Sequence, residues 1–180
     1  GFDYTRGSNP TRQILEEQMA AIEGVKHAAA FASGLSSIDA MMRMFTSGDH
    51  IVSSDDVYGG VSRLFNRILA RYGLEFTYVD SSDPDQVAAA IQSHTKMVWI
   101  EVPTNPLLKV IDIAQMAEIA RANGAWMGVD NTFASPYFQN PITLGADLVM
   151  HSCTKYLGGH SDLVAGALVM NDELYEPLFK

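Results

Sequence analysis

The chain has 180 residues, with 12 Lys and Arg against 21 Asp and Glu and a formal charge of -9 at pH 7, an acidic balance that argues against a broad basic surface for nucleic acid or anionic membrane. A composition 47% hydrophobic and 18% charged excludes wholesale disorder, and the length fits one domain able to bury about 70% of its unfolded surface. The single cysteine, Cys153, excludes an internal disulfide and any Cys-x-x-Cys zinc or redox pair.

Taken in chain order, Pro10 suits the first turn of a helix that buries Leu15, Met19 and Ile22 before Gly24. Residues 28–32 form the first strand, and Ser33-Gly34-Leu35-Ser36 opens a helix through Met41 and Met42. A second strand over 50–54 leads to a helix whose stripe is Val61, Leu64, Phe65, Ile68, Leu69 and Tyr72, with Gly73 as its stop. The third strand spans 75–79, and Asp83-Pro84-Asp85 opens a short helix carrying Val87 and Ile91. After a fourth strand over 97–102, Asp112 with Gln115 three residues on makes a capping-box arrangement for a helix ending at Gly124. Strands over 125–129, 147–151 and 165–170 follow. Most of these strands are continuous apolar runs, the pattern of strands covered on both faces. The alternation predicts an α/β fold: a seven-stranded, mostly parallel, doubly wound sheet. Such sheets bind ligands at the carboxyl ends of their strands.

Three of those ends carry polar groups. Gly34 and Leu35, at a helix start, suit an anion or serve only as a helix entry. Asp130, in Val129-Asp130-Asn131-Thr132, is either a turn-forming residue or a buried partner for a cation. In an extended segment Ser152 and Thr154 share a face and offer two hydroxyls to one group. Lys155 follows them, either a solvated charge or an amine able to form a Schiff base. Tyr58, in Val57-Tyr58-Gly59-Gly60, is either a core residue or an aromatic face above a ring. Hydroxyls for a phosphate, an amine for an aldehyde and an acid for a ring nitrogen are together the anchors that pyridoxal 5'-phosphate requires. Metal binding through His151, Cys153 and His160 matches no compact zinc spacing.

The chain resembles the transsulfuration (Cys/Met metabolism) family of fold-type I pyridoxal-phosphate enzymes, above all its cystathionine γ-lyase and γ-synthase branches. The matching stretches run through nearly the whole chain: residues 4–12, Ala32-Ser33-Gly34-Leu35, Val57-Tyr58-Gly59-Gly60, Pro103-Thr104-Asn105-Pro106, residues 129–133 and residues 152–162. The resemblance implies that Lys155 binds the cofactor covalently and then carries protons. It implies that Asp130 pairs with the ring nitrogen, oriented by Thr132, while Tyr58 stacks on the ring and Asn105 approaches its phenolic oxygen. Gly34, Leu35, Ser152 and Thr154 would hold the phosphate. Tyr4 and Arg6, in the family's Tyr-x-Arg segment, would reach the phosphate of a neighbouring subunit, so a homo-oligomer, a dimer of dimers, is expected.

The same resemblance implies a carbon–sulfur lyase acting on a sulfur-containing amino acid, with γ-elimination from cystathionine giving cysteine, 2-oxobutanoate and ammonia. Tyr58-Gly59-Gly60 favours the γ-processing branch, and Gly60 stands where methionine γ-lyase relatives carry a cysteine. The alternatives are γ-replacement and a catalytically incomplete cofactor-binding fragment. Residues 1–25 are expected to be an inter-subunit segment with the first helix, and 26–180 the cofactor-binding large domain. Because the chain starts on Gly1, a longer protein is expected. A smaller C-terminal domain beyond Lys180 would supply the arginine for the substrate carboxylate. The lone cysteine fits a reducing, cytoplasmic setting. No run approaches the roughly 20 apolar residues of a membrane span, and neither nucleic acid nor membrane is expected as a partner.

Overall fold

The computed structural model describes residues 1–179. Among them, strands β1 (His27–Phe31), β2 (His50–Ser54), β3 (Glu75–Val79), β4 (Thr95–Glu101), β5 (Trp126–Asp130), β6 (Leu148–His151) and β7 (Gly166–Met170) form one sheet in the order β1-β7-β6-β5-β4-β2-β3. β2 to β6 run parallel, while β7 is antiparallel to both of its neighbours, β1 and β6. β1 therefore points the same way as the parallel strands. Each predicted strand lies within two residues of an observed one, because a run buried on both faces is marked by its own composition.

Helices cover both faces. On one side α1 (Pro10–Glu23), α4 (Pro84–Ala90) and α5 (Ile113–Ala122) bring Met19, Val87, Ile113 and Met116 against Val98, Ile100, Val129 and Val149 of the sheet. On the other, α2 (Gly34–Met42), α3 (Gly59–Arg63) and α6 (Asp172–Phe179) bring Ile38, Met41, Val61 and Leu174 against Met97, Trp99, Leu148 and Met150. Consecutive residues of β4 alternate between these two cores, as period-two geometry requires. A fully buried core side chain of this size contributes about 1.5–3 kcal/mol.

Local signals explain where the helices begin. Asn9 caps α1 by accepting from the N–H groups of Thr11 and Arg12 at 2.9 and 3.2 Å. Ser33 and Ser36 satisfy one another across the first turn of α2: Ser33 Oγ accepts from the Ser36 N–H and Ser36 Oγ from the Ser33 N–H. Asp112 accepts from the Gln115 N–H at 3.1 Å and starts α5. The predicted long helix before Gly73 departs from its pattern. α3 stops at Arg63, a wide π turn runs over Leu64–Ile68, and a tight 3-10 turn runs over Leu69–Tyr72. Val61, Phe65 and Leu69 remain buried, but Ile68 and Tyr72 are 43% and 64% exposed. A five-residue turn followed by a three-residue turn rotates those two positions off a stripe drawn at 3.6 residues per turn.

Candidate active site

One cavity opens at the edge where β1, β2, β4, β5 and β6 end and β7 begins. Ser33, Gly34 and Leu35 line it after β1, Tyr58 after β2, and Glu101 and Asn105 at the end of β4. Asp130, Thr132 and Phe133 come from the end of β5, Met150, Ser152, Thr154 and Lys155 from the end of β6, and Val164 from the approach to β7. The predicted residues between Gly34 and Lys155 are thus brought together. Tyr4 and Arg6 stand outside this cavity, both exposed, with the Arg6 guanidinium 5.6 Å from the Tyr4 ring centroid. Their segment is tied to α1 by the Arg12 side chain, which donates to the carbonyls of Thr5 and Gly7 at 3.0 and 3.1 Å.

Close backbone approach builds the wall around Gly34. A Cβ there would stand 2.8 Å from the Ser152 Cβ, and one on Gly166 would stand 2.6 Å from the Gly34 nitrogen. Both contacts are shorter than real side-chain carbons adopt, so glycine is what lets the start of α2 close against the end of β6 and the start of β7. Gly34 and Leu35 are the first two residues of α2, where N–H groups precede the helix's own hydrogen-bond ladder. Such a terminus attracts an anion.

The segment carrying Lys155 differs from the predicted extended form. β6 ends at His151, the Lys155 N–H donates to the Ser152 carbonyl at 3.0 Å, and the Gly158 N–H donates to the Cys153 carbonyl at 2.7 Å. Ser152 and Thr154 therefore reach the cavity from a compact turn rather than from one face of a strand. A chain that folds back within six residues, with Gly159 at φ 82, cannot hold strand alternation. Thr154 is also tied down: its hydroxyl donates to the Ala165 carbonyl at 3.2 Å and accepts from the Ala165 N–H at 3.1 Å.

At the floor of the cavity lies Asp130. Its carboxyl is buried, and burial pushes it above the usual carboxylate range, opposed by the hydroxyl and N–H of Thr132 and by the field of His151. The Thr132 N–H donates to Asp130 Oδ1 at 3.0 Å, and the Thr132 hydroxyl accepts from the Ser152 N–H at 2.8 Å. One threonine thereby joins the acid to the turn that bears the lysine. Glu101, absent from the sequence reading, is a second buried carboxyl here. Burial and the neighbouring Asp130 push it up to about 8, against the hydrogen bond it accepts from the Tyr58 N–H at 2.7 Å. A charged residue inside an otherwise apolar run was the signal for it. Phe133, Met150 and Val164 carried no such mark. Burial pushes the Cys153 thiol up to about 11, which leaves it an unreactive core residue at neutral pH. Among the described residues, no three His, Cys, Asp or Glu side chains group as a metal site, and no helix is long and apolar enough to cross a membrane.

The donor set fits the polar parts of pyridoxal 5'-phosphate: a helix start and serine for the phosphate, an amine for the aldehyde, and a buried acid for the ring nitrogen. Comparison with known proteins agrees. The model of the family described as "Cys/Met metabolism PLP-dependent enzyme" matches residues 1–179. A probable cystathionine γ-synthase of Herpetosiphon aurantiacus is 55% identical over 179 residues, covering 99% of this chain and 56% of that protein. A cystathionine β-lyase of Lactococcus lactis subsp. cremoris is 51% identical over 172 residues, covering 96% and 45%. The crystal structure of cystathionine γ-lyase from Lactobacillus plantarum complexed with L-serine superposes with a TM-score of 0.96 at 45% identity, over 98% of this chain and 46% of that one. The chain spans about half the length of the curated relatives it matches.

Proposed function

Given that the chain belongs to the Cys/Met metabolism PLP-dependent enzyme family, we propose that it forms the cofactor-holding part of a transsulfuration enzyme that breaks the γ carbon–sulfur bond of cystathionine. The observation that carries this reading is the convergence of Lys155, Asp130 and the Gly34–Leu35 helix start on one cavity. Pyridoxal 5'-phosphate, when bound, supplies an electron sink for the pair left at the substrate Cα.

The protein's own groups do the rest. Gly34, Leu35 and Ser152 hold the phosphate, and Thr154 braces the turn through Ala165. Asp130, kept in place by Thr132, holds a proton on the ring nitrogen. Lys155 Nζ holds the cofactor and then carries the Cα proton, while Tyr58 covers the ring and Asn105 faces its oxygen. Tyr4 and Arg6 serve the phosphate site of a second copy, a role supported by their exposure and by their place outside this chain's own cavity. The setting in this reading is cytoplasmic and the assembly a homotetramer. A γ-replacement reading is favoured by one observation, the 55% identity to a probable cystathionine γ-synthase.

The test is the visible spectrum of the protein with pyridoxal phosphate, then borohydride reduction and peptide mapping. An adduct on Lys155 is expected. Cystathionine given to the longer protein expected from the sequence should then yield 2-oxobutanoate; pyruvate would instead mark β-elimination, and absence of any Lys155 adduct in folded protein would overturn the proposal.

A further inference from the structure

Glu101 ends β4 as Asp130 ends β5, and the two are register partners on adjacent parallel strands. Such partners project to the same face from strands about 4.8 Å apart, and both carboxyls line the one cavity. Two acids so placed are costly to ionise together. Glu101 nevertheless makes one well-formed contact: its Oε2 accepts from the Tyr58 N–H at 2.7 Å, between residues 43 apart in the chain.

That contact lies at a junction. The segment from β2 to α3 is held by Asp56, which accepts from the Thr104 hydroxyl and from the Leu107 N–H at 3.0 Å. Two residues later, Tyr58 turns the chain into α3, its carbonyl accepting from the Val61 N–H at 2.8 Å. The Tyr58 side chain is 48% exposed and stands at the cavity mouth. Where that ring stands therefore depends on the backbone that Glu101 grips.

We infer that Glu101 is a positioning residue of the cofactor pocket, acting through Tyr58: it fixes the backbone that carries the ring-covering tyrosine. This rests on the reading that the cavity takes pyridoxal phosphate over Asp130. The charged groups that act on Glu101 are Asp130 from β5 and Asp56 from the loop after β2, and Lys155 lines the same cavity. The raised Glu101 carboxyl is consistent with a group that holds its partner as a neutral acid.

The experiment is a double-mutant cycle read by cofactor affinity, from absorbance titration with pyridoxal phosphate, alongside melting of the unloaded protein. Glu101→Ala should weaken binding about tenfold. Glu101→Gln keeps an acceptor oxygen without charge, and should stay within about threefold of the parent. In a Tyr58→Ala background, Glu101→Ala should add less than about twofold, because the residue it acts through is gone. Equal losses from Glu101→Ala with and without Tyr58 would overturn the inference, as would a Gln variant as weak as the Ala variant while melting no lower than the parent. Borohydride trapping of the parent separates the two levels. A Lys155 adduct in the parent with additive variants rejects the role of Glu101 alone, whereas no parent adduct rejects the cofactor reading beneath it.

Discussion

The Glu23 carboxylate on α1 meets His151 Nε2 at the end of β6 at 2.6 Å, with both side chains almost wholly buried. Asn140 adds a hydrogen bond to the second Glu23 oxygen at 3.2 Å and another to the Ile22 carbonyl at 2.9 Å. His151 Nδ1 is buried without a hydrogen-bond partner. The pair fastens the N-terminal helix to the strand that ends just before the lysine turn. Removing one member strands the other: Glu23→Ala should cost about 3–5 kcal/mol. Thermal melting should then fall by about 2–4 °C for each kcal/mol. Replacing both residues by leucine should recover much of the loss. A single change costing less than about 1 kcal/mol would show that the pair is not buried as described.

Glu101 predicts a pH dependence of stability. Its carboxyl stands at about 8 in the folded chain, whereas an unfolded glutamate loses its proton near about 4.3. Folding therefore takes up a proton between those values. The contribution of this group is full below the unfolded value and is lost as pH rises toward the folded one. Glu101→Gln removes the titration, so it should melt above the parent near about pH 8, with the gap closing toward about pH 5. Parallel melting curves across that range would contradict the raised carboxyl.

Asp130→Asn tests the charge at the floor of the cavity. The amide keeps an oxygen for the Thr132 N–H, now 3.0 Å from Oδ1, and so keeps the local geometry. What it loses is a charge-assisted bond to a ring nitrogen, roughly twice as strong as a neutral one. Pyridoxal-phosphate affinity should drop about tenfold or more, read by absorbance titration, with little change in melting of the unloaded protein. Unchanged affinity would place the ring elsewhere.

Gly166→Ala should damage two properties at once. A Cβ there would press on the Ser33 carbonyl and stand 2.6 Å from the Gly34 nitrogen. Both are backbone atoms and cannot swing aside, so the strain should cost about 1–3 kcal/mol. Cofactor affinity should fall with it, because the displaced atoms begin α2. A melting curve and a titration on one sample test both; a stable variant with weakened binding would show that the loop yields while the sheet does not.

What could be read from residues alone follows the range of the forces involved. Apolar runs and capping residues are local signals, and they located the strands within two residues and the starts of α1, α2 and α5. The place of β7 between β1 and β6 was not legible, because pairing across nearly the whole chain leaves no mark in either segment. Ile68 and Tyr72 leave the buried stripe because a period of 3.6 does not hold in a segment that winds first wider and then tighter. The polar residues at the strand ends stood out against their apolar runs. Glu101 breaks an apolar run as Asp130 does, but only the register of β4 with β5 shows that the two share a cavity.

The antiparallel pairing of β7 with β1, His27 opposite Met170 and Phe31 opposite Gly166, sets an order of events during synthesis. The wall formed by Ser33 and Gly34 leaves the ribosome well before the strand it packs against, which emerges only after everything from Leu35 to Ala165 has been made. Until then β1 has no partner strand in the sheet, and the cavity lacks the neighbour that closes it. Contacts of such sequence separation are slow to form because loop closure precedes any gain from them. Cofactor capture is thus deferred until residues near 170 are available, and a nascent chain halted before β7 would present β1 as an unpaired edge open to aggregation.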